Sequence, residues 1–127
     1  MGDRVLFQVI SSANKPTEFS PVLYGHWCGS RAPSICAAIK ARMRGRPGVS
    51  YTAARLVQEA IGYSNGNLSY GLSNAEGVLT AEDSHGDAGI VLVDVTGPVM
   101  HFECLGGYLT TDGDTVTSPY DQQETGT

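Results

Sequence analysis

The chain has 127 residues, 41% of them hydrophobic and 17% charged, with a formal net charge of −5. That length fits one domain and buries about two-thirds of the unfolded surface, so a core forms without disulfide or metal staples. No apolar run approaches the ~20 residues that a membrane-crossing helix requires, and the odd count of three cysteines, Cys28, Cys36 and Cys104, argues against a disulfide framework and for a reducing cytoplasm.

The charge is unevenly placed. From Phe19 to Gln58 there is no acidic residue, while Arg31, Lys40, Arg42, Arg44, Arg46 and Arg55 give that stretch a charge of +6. The remaining chain, with two cations against thirteen acids, carries −11. Such asymmetry within one domain predicts a basic face on an acidic body.

In chain order, Val5–Ile10 (VLFQVI) is rich in β-branched and aromatic residues and predicts a first strand. Ser11–Thr17 predicts a loop. Phe19–Trp27 predicts a second strand, its start held to an edge or an end by Pro21. Ser30 is the expected N-cap of a first helix with Pro33 in its first turn. Ile35, Cys36, Ile39 and Met43 share one face of that helix, which Gly45 and Pro47 stop. Ser50 is the expected cap of a second helix over Tyr51–Ile61, with Ala53, Ala54, Val57, Ala60 and Ile61 as its apolar stripe.

Further on, Asn65–Asn67 predicts a turn and Leu68–Ser73 a short strand. Glu76–Ala88 is polar and predicts a loop. Gly89–Val95 (GIVLVDV) is nearly continuous in apolar residues, as expected of a central strand buried on both sides. Gly97-Pro98 turns the chain, and Val99–Leu105 pairs back as a hairpin. The expected fold class is α+β: a mostly antiparallel sheet of about five strands with two helices on one face, in the order ββααβββ. Residues 1–109 form the expected domain, and 110–127 a flexible acidic tail.

Three constellations bear on chemistry. Cys28 ends a strand just before a helix, where the N-terminal field lowers a thiol pKa; with His85 or His101 it makes a candidate cysteine hydrolase. His26-x-Cys28 and His101-x-x-Cys104 offer four nitrogen and sulfur donors for zinc, although positions three apart on a strand point to opposite faces. The blander reading packs Cys28 and Cys104 and leaves His101 in solvent. No GxxxxGK[ST] and no GxGxxG joins a strand to a helix, so no cofactor is expected. The third constellation is the basic segment, either a solvated helix end or a surface for an anionic partner; the acidic total makes non-specific DNA binding a poor fit. Trp27 is either a lid on the core or an interface anchor.

The run Tyr24-Gly25-His26-Trp27-x-Gly29-Ser30, followed by Tyr51-x-x-Ala54-Arg55-Leu56, by a Gly-containing strand at Leu68–Ser73 and by an apolar strand ending Val91–Asp94, resembles uncharacterised small bacteriophage and prophage proteins. The resemblance spans Val22 to Phe102. It implies an origin in a bacterial host cell and carries no activity. Phage accessory proteins of this size commonly bind and block host factors. The leading expectation is therefore a non-enzymatic accessory protein that binds a host protein, for instance to inhibit a host defence, or a small anionic ligand. Its expected surface is His26, Trp27, Arg31, Arg42, Arg44, Arg46 and Arg55. The alternatives are the Cys28 hydrolase and a structural, oligomer-forming phage component, for which a homodimer is one expected assembly.

Overall fold

The structure, a computed structural model, describes residues 3–43, 48–62 and 70–120. Eight strands and two helices follow in the order β1 (Val5–Ser11), β2 (Glu18–Phe19), β3 (Val22–Gly25), α1 (Ala32–Arg42), α2 (Val49–Ile61), β4 (Tyr70–Ser73), β5 (Gly89–Asp94), β6 (His101–Leu105), β7 (Thr110–Asp112) and β8 (Thr115–Thr117). The fold is α+β. Its main sheet has the order β4-β3-β1-β5-β6, with β2 also paired to β1, and β7 and β8 form a separate hairpin.

The sheet is mixed. β1 runs antiparallel to β2 and β3 but parallel to β5, from Val5 opposite Gly89 to Ile10 opposite Asp94. The expected mostly antiparallel sheet thus departs at its β1–β5 pairing, and the expected ββααβββ order gives way to the order above. A parallel neighbour requires a long crossover, and the chain between β1 and β5 supplies both helices.

Alternation along β1 and β5 divides the core. Val5, Phe7, Val9, Val91 and Val93 face the helices, where they meet Ile35, Cys36, Ile39 and Leu56. Leu6, Ile90 and Leu92 face the other way, under Ala75 and Leu79 of the segment before β5. Thus β5 is buried on both sides, as expected. Burying each such aliphatic side chain is worth about 2 kcal/mol before entropy is counted. Gln8, also fully buried, ties that covering segment down. Its amide nitrogen donates to the Ser20 and Gly77 carbonyls at 3.1 and 3.0 Å, and its oxygen accepts the Leu79 N–H at 2.9 Å.

Several expectations are corrected locally. The single strand Phe19–Trp27 is broken at Ser20-Pro21. Pro21 has no N–H to give a ladder, and the Ser20 hydroxyl accepts the Val9 N–H instead at 2.9 Å. Ser30 is not the N-cap of α1: a turn of 3-10 helix over Gly29–Arg31 precedes it, and Arg31 takes the cap position without a side-chain hydrogen bond. Pro33 does lie in the first turn, and Ile35, Cys36, Ile39 and Met43 are all buried as the spacing predicts.

Helix α2 begins after Gly48, so Ser50 is inside it. Its buried side is Thr52, Leu56 and Ala60, whereas Ile61 is half exposed. The Asn65–Asn67 turn lies outside the described residues, and the strand expected over Leu68–Ser73 is described from Tyr70. The hairpin strand expected from Val99 begins at His101. Residues 110–117, expected as part of a flexible tail, form the β7–β8 hairpin, with Leu109 and Val116 buried in the helix-side core. Among the described residues, no helix is long and apolar enough to cross a membrane.

Candidate functional site

The junction Tyr24–Ser30 is shaped by two close approaches and one carboxylate. A β-carbon added at Gly25 would stand 2.3 Å from the Cys28 sulfur, so only glycine lets the chain fold back on its own thiol. A β-carbon at Gly29 would stand 2.5 Å from an Asp3 carboxylate oxygen and 2.6 Å from the Ala88 β-carbon. Asp3 holds the turn from outside. Its carboxylate accepts the Ser30 N–H at 2.7 Å and the Tyr108 hydroxyl at 2.5 Å, and its carbonyl accepts the Gly29 N–H at 2.9 Å. The 3-10 turn that displaces Ser30 from the cap of α1 is thus held by a residue twenty-seven positions earlier.

Cys28 is buried, and its thiol is pushed from the ordinary 9.0 up to about 11, first by burial, against a hydrogen bond with Tyr70 that works the other way. A nucleophilic cysteine needs the opposite shift. Neither candidate histidine attends it. His85 stands edge-on to Tyr24 with ring centroids 5.4 Å apart. His101 lies on β6, three strand positions from β3 and so roughly 14 Å across the sheet, with its Nδ1 2.6 Å from an Asp114 oxygen.

The same separation keeps the His26–Cys28 pair from the His101–Cys104 pair. Cys104 instead packs beside the helix-side core, and burial, with Cys104 adding to it, raises the pKa of Cys36. Among the described residues, no group of three or more His, Cys, Asp or Glu side chains is placed to hold a metal ion.

Side chains do converge in an aromatic row on the sheet face away from the helices. The Tyr24 hydroxyl lies 2.6 Å from His26 Nδ1. The His26 and Trp27 rings meet edge to face at 4.6 Å, and His85 closes the row on the far side of Tyr24. Trp27 is 60% exposed, so it is no lid on the core. Behind the row, Arg4 donates through Nε to an Asp87 oxygen at 2.7 Å and through a terminal nitrogen to the His85 carbonyl at 3.2 Å. The Arg4 side-chain hydrogen bond to Asp87, with a second from the Arg4 backbone N–H at 3.1 Å, holds that carboxyl below the usual carboxylate range.

The basic residues divide. Arg31 is exposed in the turn that follows Trp27 and Cys28, and Arg42 ends α1, roughly 15 Å further along the helix axis. Arg42 pairs with Glu59 of α2, and Arg55, exposed, sits one helical turn before Glu59. Both therefore belong to the helix layer, on the opposite side of the sheet from Tyr24. Arg44 and Arg46 lie outside the described residues.

Tyr24 and His85 were not among the expected site residues. Tyr24 carries a signal, because it stands two positions before His26, the spacing that puts both on one side of an extended chain. His85, distant in sequence, carries none. No protein-family model matches the chain, and neither the curated proteins nor the solved structures give a match.

Proposed function

We infer that the protein is a non-enzymatic accessory protein of phage or prophage origin that acts in the host cell by binding a host protein, with inhibition of a host defence as the kind of role this serves. The observation that carries the reading is the exposure of Trp27 in an ordered row with His26, Tyr24 and His85. An exposed tryptophan that is held by neighbouring rings loses little freedom on docking, and such residues dominate interface energies. Arg31 adds a cation four positions after Trp27 in the chain. The phage origin rests on the sequence resemblance alone.

A hydrolase is less well supported, because Cys28 is buried with its thiol pKa raised. Anion binding by the whole basic segment is also less well supported, because Glu59 offsets Arg42.

The test is affinity capture from a bacterial host extract, followed by titration of the captured protein. Trp27→Ala is expected to weaken that complex by about 30-fold, in line with loss of an interface anchor, with the melting temperature unchanged. A complex equally tight with Trp27→Ala and with His26→Ala would refute the reading.

A further inference from the structure

On the helix side of the sheet, far from the aromatic row, a groove of about 550 Å3 opens between α1, β6 and the β7–β8 hairpin. Its size falls within the range of small-molecule sites. Ala37 and Ala41, both exposed and one turn apart on α1, leave one wall low. Met43, Met100 and Phe102 line it from the C-terminal cap of α1, the segment before β6 and β6 itself. These are the two methionines among the described residues, and flexible thioether side chains adapt to varied apolar ligands.

Charge enters this lining only through Lys40 and Asp114. Their ion pair is long, at 3.7 Å, and the other Asp114 oxygen is taken by His101 at 2.6 Å. His101 thus occupies one Asp114 oxygen from outside the groove, and the Lys40 ammonium, only loosely paired with the other, keeps donors for an incoming anion.

The choice of occupant follows from chemistry on each side. The adjoining segment 44–47 reads Arg-Gly-Arg-Pro, and the C-terminal segment 121–127 has no aliphatic or aromatic side chain, so neither has the composition to fill an apolar groove. A protein partner calls for about 800 Å2 of buried surface on each side, with an apolar centre. Of the exposed large hydrophobic residues among those described, only Val99 borders this groove; Trp27, Tyr51, Ile61 and Leu72 do not line it.

We propose that this groove binds an elongated, apolar small molecule with a single anionic head group. Its body lies along α1 over Met43, Met100 and Phe102, and its head pairs with Lys40. The wall from Pro33 to Met43 spans roughly 15 Å of helix, which suits a medium-length alkyl chain.

Dodecanoate, titrated calorimetrically into the full chain, is the probe, with displacement of anilinonaphthalene sulfonate fluorescence as the second readout. Saturable one-to-one binding is expected. Ala37→Phe, which fills the groove from an exposed position, is expected to abolish it. Lys40→Ala is expected to weaken dodecanoate by about tenfold, the loss of one charge-assisted contact, and to leave dodecanol binding unchanged. Ala41→Phe serves if Ala37→Phe does not fold. The proposal is overturned if dodecanoate does not saturate, or if a folded groove-filling variant binds it as tightly as the parent. It is equally overturned if the parent self-associates in light scattering and the groove-filling variant does not, since the occupant would then be a second copy.

Discussion

The sulfur of Cys28 occupies the space in which a side chain at Gly25 would stand, 2.3 Å from where the β-carbon would be. The two residues thereby define the turn that joins β3 to α1, and they explain why a cysteine at a helix start is structural here. Gly25→Ala is expected to lower stability by about 3 kcal/mol, the scale of severe overpacking. In a Cys28→Ala background the same substitution should cost clearly less, because the clashing atom is gone. Urea unfolding of the two single variants and the double variant measures this coupling. Additive losses would mean that the thiol is not what excludes a side chain at position 25.

Burial of the thiols also sets a pH dependence. The folded protein raises Cys28 and Cys104 from 9.0 to about 11, and Cys36 well above 9.0. It therefore keeps thiol protons that the unfolded chain releases. Stability from this source is complete below pH 9 and is lost as pH rises from 9 through 11. Burial also raises Tyr70 and Tyr108, which adds to the loss at still higher pH. A melting temperature that holds from pH 7 to 8.5 and then falls steadily is expected. At neutral pH, iodoacetamide should label Cys28 in the folded protein at least about tenfold more slowly than a free thiol. Labelling as fast as that of a free thiol would restore the nucleophile that the structure argues against.

How much of this was legible beforehand depended on the range of the interaction. Helix α1 and strand β5 were readable because their signals are local: Ile35, Cys36, Ile39 and Met43 repeat at helical spacing, and GIVLVDV leaves no polar face. The parallel pairing of β1 with β5 was not, since no local pattern distinguishes a parallel neighbour from an antiparallel one. The β7–β8 hairpin was missed for a related reason. TTDGDTVT has β-branched residues around an Asp-Gly turn, which is a hairpin signal, but its one large apolar residue, Val116, gains burial only from the distant helix-side core. At the candidate site, His26 and Trp27 were visible as neighbours in sequence. His85 reached the row only through tertiary folding, and the 3-10 turn that displaces the cap expected at Ser30 is held by Asp3, far back in the chain. The basic segment read as one surface because charge adds up along a sequence, whereas Glu59 divides it in space.

Gln8, the polar residue within the first strand, is the anchor of the segment that covers the sheet. Three hydrogen bonds from one buried amide reach Ser20, Gly77 and Leu79. Gln8→Leu keeps the volume but strands two carbonyls and one N–H. A loss of about 3 kcal/mol in urea unfolding is expected, together with faster amide exchange at Leu79. If exchange at Leu79 is unchanged, apolar contacts of Leu79 and Ala75 hold the segment without the amide.

Thr52 is the converse case. It is fully buried on α2, and its hydroxyl is a buried side-chain oxygen with no hydrogen-bond partner. An unsatisfied buried hydroxyl carries a desolvation cost without a compensating bond. Thr52→Val has nearly the same shape and a similar helix propensity, so it removes the cost and little else. Stability is expected to rise by about 1 kcal/mol, and the melting temperature by about 4 °C for a chain of this size. Thr52→Ser separates the contributions: it keeps the hydroxyl, loses a packed methyl group, and should be less stable than the parent by about 1 kcal/mol. A Thr52→Val variant that is less stable than the parent would show that the hydroxyl is satisfied in solution, by a buried water or by the carbonyl one turn earlier in the helix. The helix-side core around Leu56 and Ala60 would then be partly wet rather than sealed.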